Sequence, residues 1–172
     1  MFRKNAVGVF CLSFLIACQP IEETLDISKP AEQYIGLDEY KNRKQLKELV
    51  GVDPVHTEWC AAFVNFVLDI QDIPGSESVS DYPLMARSFL TWGEEVLDEP
   101  IKGDIVIFPR GGKLWQGHVG FFIKEIQYEN RTRWIILGGN QDNTVSYAEF
   151  NPKKAIAIRR KSLISWRNKQ HQ

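Results

Sequence analysis

The sequence predicts an α+β domain, with helices in its first half packed on an antiparallel sheet of about five strands built from its second half. Three observations carry this. The run Ala61 to Ile70 has only Asn65 and Asp69 as polar residues, one turn apart, as in a helix buried on most of its circumference. From Pro100 onward the apolar spacing changes to that of strands separated by turn residues. The 172 residues are 44% hydrophobic and 12% aromatic, enough for one compact core and too apolar for a disordered chain. Helices first and strands after them describe segregated α and β layers.

The elements follow in order. Arg3 and Lys4 precede an apolar stretch, Ala6 to Ala17, which falls short of the ~20 residues a bilayer span needs. It fits a secretory signal. The stretch ends Leu15-Ile16-Ala17-Cys18, which resembles a bacterial lipobox with lipid carried on Cys18. The resemblance implies a lipoprotein of the cell envelope. Gln19 after the cysteine implies the outer membrane, facing the periplasm. Residues 1–18 are thus read as signal and lipobox, 19–30 as a tether, 31–166 as the folded domain and 167–172 as a polar tail.

Within the domain, Ala31 to Val50 predicts one or two short helices ending at Gly51, and Asp53-Pro54 a turn. A helix over about Glu58 to Ile70 follows, then a loop from Ile73 to Ser78 and a further helix from Tyr82 to Trp92. The strand candidates are Asp104–Phe108, His118–Ile123, Arg133–Leu137, Val145–Phe150 and Ala155–Arg160, forming a meander. Turns are expected at Pro109-Arg110-Gly111-Gly112, Glu129-Asn130-Arg131 and Asn151-Pro152. Trp92, Trp134 and Trp166 are expected in the core.

Charge is divided along the chain. Gln19 to Pro100 holds 6 Lys/Arg against 17 Asp/Glu, and Ile101 to Gln172 holds 13 against 5. Two halves that complement each other across one domain explain this. A basic face for an anionic polymer is the alternative.

The chemistry centres on Cys60, the one cysteine beyond the signal segment. A lone thiol in an exported protein has no disulfide partner, so it is either a buried spectator or a nucleophile. With Thr57 as N-cap, Cys60 falls at the third helical position, where unpaired backbone N–H groups favour a thiolate. His118 begins an apolar strand, with His118, Gly120 and Phe122 on one face, and fits a general base to the thiol. Asn140 ends the next strand, sharing a face with Trp134, Ile136 and Gly138, where its amide would accept from the other imidazole nitrogen and fix the tautomer. Gln141 and Asp142 lie close enough to fill the same role. Each position alone also reads as ordinary structure: a core thiol, a hydrogen-bonded histidine, a turn asparagine.

Trp59, Trp115 and His56 are candidate substrate contacts, Trp115 by stacking at a cleft mouth and His56 from a loop at the cleft edge. His56 and His118 lack the paired ligand spacing of common zinc sites, so no metal or other cofactor is expected. Asn130-Arg131-Thr132 matches a glycosylation sequon that a bacterial lipoprotein would not use. His171 lies in the basic tail.

Six blocks in order, Tyr34-Ile35-Gly36-Leu37-Asp38-Glu39, Trp59-Cys60-Ala61-Ala62-Phe63-Val64-Asn65, Ala86-Arg87-Ser88-Phe89-Leu90, Gly103-Asp104-Ile105-Val106, Gly117-His118-Val119-Gly120-Phe121 and Leu137-Gly138-Gly139-Asn140-Gln141, resemble a bacterial and phage family related to the CHAP and NlpC-type peptidoglycan amidases and endopeptidases. The resemblance spans roughly Ala31 to Arg160. It implies a papain-like fold with Cys60 as nucleophile, His118 as base and Asn140 as orienting residue. It implies hydrolysis of an amide bond in peptidoglycan through a thioester, by a monomer whose partners are the wall peptide and, through its lipid, the membrane. No nucleic-acid partner is expected. One departure stands out: CHAP-type sequences often place a glutamine before the cysteine to help form the oxyanion hole, and here that residue is Trp59. The competing reading keeps the fold without turnover, as a wall-binding or partner-binding lipoprotein. A third is acyl transfer in place of hydrolysis.

Overall fold

A computed structural model describes residues 26–161; the signal segment with Cys18, most of the tether, Trp166, His171 and the tail lie outside the described residues. The expectation of an α+β fold holds. The helices are α1 (Arg43–Val50) and α2 (Cys60–Asp69), supplemented by 3-10 turns. The strands are β1 (Glu94–Glu95), β2 (Ile105–Pro109), β3 (Gly117–Tyr128), β4 (Arg131–Gln141), β5 (Thr144–Phe150) and β6 (Ala157–Arg160). They form one antiparallel sheet in the order β1-β6-β2-β3-β4-β5.

Helix α1 stops at the predicted glycine: Gly51 takes φ 74, and its N–H returns to the Lys47 carbonyl. Upstream, Lys29–Tyr34 is a 3-10 turn and not a longer helix, and Gly36 at φ 91 turns the chain away. The helix expected over Tyr82 to Trp92 shrinks to 3-10 turns over Ala86–Thr91. Pro83 disfavours the helical conformation at Tyr82, which moves the start downstream. The tether is shorter than expected, since Ile27 and Ser28 are already buried.

Strands β2 to β5 are the predicted meander. The last strand departs from it: β6 crosses back to pair with the free side of β2, Arg159 opposite Ile105, and β1 lies beyond it. β1 has only two residues and carries no alternation to read. β3 and β4 run well past their apolar segments, because their distal ends form a polar hairpin arm, Lys124 to Tyr128 against Arg131 to Ile135.

Alternation along β3 divides the core. Val119 and Phe121 face α2, with Cys60, Phe63, Val64, Val67, Ile105, Ile107 and Leu137. Phe122 lies on the opposite face with Val106, Phe108, Trp134 and Ile136. Trp92 and Trp134 are buried as expected. Close packing behind α2 is strict: a Cβ on Gly139 would stand 2.5 Å from the Trp59 ring and 2.7 Å from Phe63 Cβ.

The charge asymmetry is complementary across the fold. Lys102 meets Asp26 and Glu32, each at 3.0 Å, and Arg110 meets Glu58 at 3.0 Å. β6 sets Arg159 and Arg160 opposite Glu95 and Glu94 of β1. Arg160 also donates twice, at 2.7 Å each, to the buried carboxylate of Asp104 at the start of β2.

Candidate active site

α2 begins later than the sequence suggested. Trp59, at φ −113 and ψ 11, is the N-cap, no side chain caps the helix, and Cys60 is its first residue. Thr57 does not cap, and Cys60 is at the first position, not the third. The Phe63 N–H closes the first turn onto the Trp59 carbonyl, so the N–H groups before it have no partner within the helix. Backbone hydrogen bonds from Ala61 and from Val119 on β3 reach the thiol. Burial outweighs them. Cys60 is 2% exposed, and desolvation raises its pKa, with Val119, Arg110 and Ala61 pulling it partly back and Glu58 opposing them. The expected resting thiolate is therefore corrected: the thiol is neutral.

His118 is placed by β3 one residue before Val119, stacked on Phe150 with rings 2° from parallel and centroids 5.3 Å apart. Burial lowers its pKa from 6.5 to about 4; a hydrogen bond to Gln141 works the other way, and the Arg110 charge adds to the lowering. Among the described residues no hydrogen bond joins thiol and ring: His118 shares the sheet face of Phe108 and Phe150, while its neighbour Val119 faces α2 and Cys60. Val119 connects the sulfur to β3.

The side chain that meets the His118 ring is Gln141, not Asn140. His118 Nε2 lies 3.0 Å from Gln141 Oε1. The Gln141 amide cannot turn over, because its Nε2 donates to the Ile136 carbonyl at 3.3 Å and the Ser146 carbonyl at 2.5 Å. Oε1 is thus an acceptor only, His118 Nε2 must carry the proton, and the neutral ring presents Nδ1 unprotonated. Asn140 instead donates from Nδ2 to Glu58 Oε2 at 2.7 Å. The cause is a register shift between Gly138 and Gln141, with Asn140 at φ 56. An extra residue reverses the alternation, so Gln141 continues the face of Trp134, Ile136 and Gly138. Asp142 is exposed at φ 51 in the following turn.

The candidate substrate contacts separate. Trp59 is wholly buried, with its indole N–H on Glu39 at 3.0 Å, and belongs to the core and not to a cleft. It cannot serve as an oxyanion donor. His56 is exposed in the loop before α2. Trp115 is 56% exposed in the loop between β2 and β3, with Lys113 Nζ 5.7 Å from its ring centre. Two residues read from sequence only as a helix start and a turn position prove to be near the centre. Arg110 bonds Glu58, and both charges are felt at the Cys60 thiol. Among the described residues, no group of three His, Cys, Asp or Glu side chains is placed to hold a metal ion.

Comparison with protein-family models, with curated proteins and with solved structures finds no match to this chain.

Proposed function

We propose that the protein is a papain-like cysteine hydrolase, lipid-anchored through Cys18, that cleaves an amide bond in peptidoglycan. The observation that carries this is the fixed Gln141 amide. It holds a neutral, buried histidine with its proton on Nε2 and its Nδ1 lone pair free, the protonation state a general base requires. Any buried histidine needs a partner for its N–H; what supports a base is that the fixed amide leaves Nδ1, and not Nε2, without the proton.

The resting pair is neutral, so proton transfer accompanies attack. Cys60 Sγ adds to the scissile carbonyl carbon as its proton passes to His118 Nδ1, a transfer for which the two side chains, unbonded at rest, must meet around the start of β3 when substrate binds. The oxyanion that forms takes the unpaired N–H of Cys60 at the start of α2 as one donor. As the C–N bond breaks, Nδ1 returns the proton to the departing amine, leaving a thioester on Cys60. Water then adds to the thioester, giving a proton to Nδ1, and collapse releases the carboxylic acid and the thiol.

One observation favours the silent, ligand-holding alternative: a thiol 2% exposed with its pKa raised by burial suits a spectator. The two readings part on one experiment. Purified peptidoglycan is incubated with the full chain, and soluble fragments are identified by mass spectrometry. New amine and carboxyl ends, absent with Cys60→Ala, support hydrolysis. Intact peptidoglycan with both proteins supports the silent reading, and amine-crosslinked products point to acyl transfer.

A further inference from the structure

Glu58, Arg110 and Asn140 form a three-membered cluster beside the proposed catalytic pair. A single oxygen, Glu58 Oε2, accepts from Asn140 Nδ2 at 2.7 Å and meets Arg110 Nη1 at 3.0 Å. The members come from three elements: the segment two residues before Cys60, the residue that follows β2, and the end of β4 next to Gln141. The charge of Arg110 acts on both the Cys60 thiol and the His118 ring. Whatever carboxylate Arg110 holds therefore sits within electrostatic reach of the reacting atoms.

The three members differ in how firmly they are held. Asn140 is buried, 6% exposed, and its amide is aimed at the cluster. Arg110 is 41% exposed at its side chain and Glu58 is 74% exposed. A solvent-exposed ion pair of this kind contributes little to stability, about 0–1 kcal/mol, so the Glu58 carboxylate is readily exchanged. A guanidinium and an amide N–H converging on one carboxylate oxygen make a carboxylate-binding site, with a second guanidinium N–H available for a forked contact.

We infer that Arg110 and Asn140 form a subsite for a carboxylate of the substrate peptide, and that Glu58 fills it in the resting protein. Substrate binding exchanges one carboxylate for another, so the net charge at the thiol is preserved. Glu58 swings into solvent and uncovers the start of α2. The site thereby selects acidic peptides over their amidated forms. This rests on the hydrolase reading for what happens next, but recognition itself does not need turnover.

The test uses the full chain carrying Cys60→Ala, so that no peptide is consumed. Isothermal titration calorimetry compares a disaccharide-tetrapeptide fragment of peptidoglycan with free carboxylates and the same fragment with its carboxylates converted to amides. The acidic form should bind at least about 10-fold tighter, a difference of ~1.4 kcal/mol. Arg110→Gln should abolish that preference, Arg110→Lys should restore part of it, and Glu58→Gln should tighten binding of the acidic form by removing the internal competitor. Equal binding of the two fragments, absence of binding by both, or a preference unchanged by Arg110→Gln would overturn the subsite. If the preference holds while the wild-type chain cleaves neither fragment, the subsite stands and the hydrolase reading falls.

Discussion

Gln141→Leu is the perturbation that separates the geometry described here from a triad completed by Asn140. Leucine is close to glutamine in size, so the change is mainly chemical. It removes the acceptor 3.0 Å from His118 Nε2 and the donor to the Ile136 and Ser146 carbonyls, at 3.3 and 2.5 Å. His118 is 4% exposed, so water does not freely replace the lost partner. An orphaned buried donor costs about 1–3 kcal/mol, which disfavours the Nε2–H tautomer by roughly 5- to 150-fold. The population of ring with a free Nδ1 lone pair falls in proportion. General-base catalysis contributes about 10²–10⁴-fold, so kcat should drop about 10- to 100-fold with KM little changed. Stability should fall by about 2–4 kcal/mol, a large share of a typical ~5–15 kcal/mol. Asn140→Ala touches only an exposed carboxylate and should act on KM more than on kcat. The assays are steady-state cleavage, urea unfolding and ¹⁵N NMR of the imidazole. A wild-type ring with its proton on Nδ1, or a kcat hit harder by Asn140→Ala than by Gln141→Leu, would refute the reasoning.

Other outcomes follow from the same geometry. His118 has a folded pKa of about 4 against 6.5 unfolded, so its contribution to stability is fully present above pH 6.5. Below that pH the unfolded state takes up a proton that the native state refuses, and stability falls by about 3 kcal/mol toward pH 4. Urea titrations between pH 4 and 7 should show this slope in the wild type and lose most of it in His118→Ala. Trp59→Phe should cost about 1.5–3 kcal/mol by removing the indole donor to the buried Glu39 carboxylate, while leaving KM unchanged; a raised KM with normal stability would return Trp59 to the substrate site. Cys18→Ala, which lies outside the described residues, should release the protein from the membrane fraction of a bacterial host, and equal retention would remove the lipid anchor.

Much of this was legible in the sequence where one physical cause dominated. The apolar circumference of α2, the glycine stop of α1 and the alternation of β2 to β5 each reflect a single local rule. Cys60 and His118 stood out as candidates because few residue types perform nucleophile and base chemistry. The misplacements have a common origin in non-local pairing. β6 joins β2 through contacts that no local pattern encodes, and the bulge in β4 reverses the side-chain parity that pointed to Asn140. The pair Gly138-Gly139 before an asparagine was the available signal, since asparagine tolerates positive φ and glycine permits close approach. Trp59 sat at a position where the resembled family often carries a functional side chain, yet its indole completes the core against Phe63 and Glu39. The thiol pKa was misjudged because a helix terminus can be seen in sequence and the burial of that terminus cannot.

The central claim is that Cys60 bonds covalently to substrate while His118 carries its proton, and an acyl-enzyme measures this most directly. The full chain is mixed with the disaccharide-tetrapeptide fragment, quenched in acid after short intervals, and weighed by intact-protein mass spectrometry with peptide mapping. The account predicts a transient adduct of one acyl fragment on Cys60, formed far more slowly in His118→Ala and absent in Cys60→Ser. Fragment cleavage that proceeds at the wild-type rate in Cys60→Ser, or in the wild type an adduct on any residue other than Cys60, would contradict it.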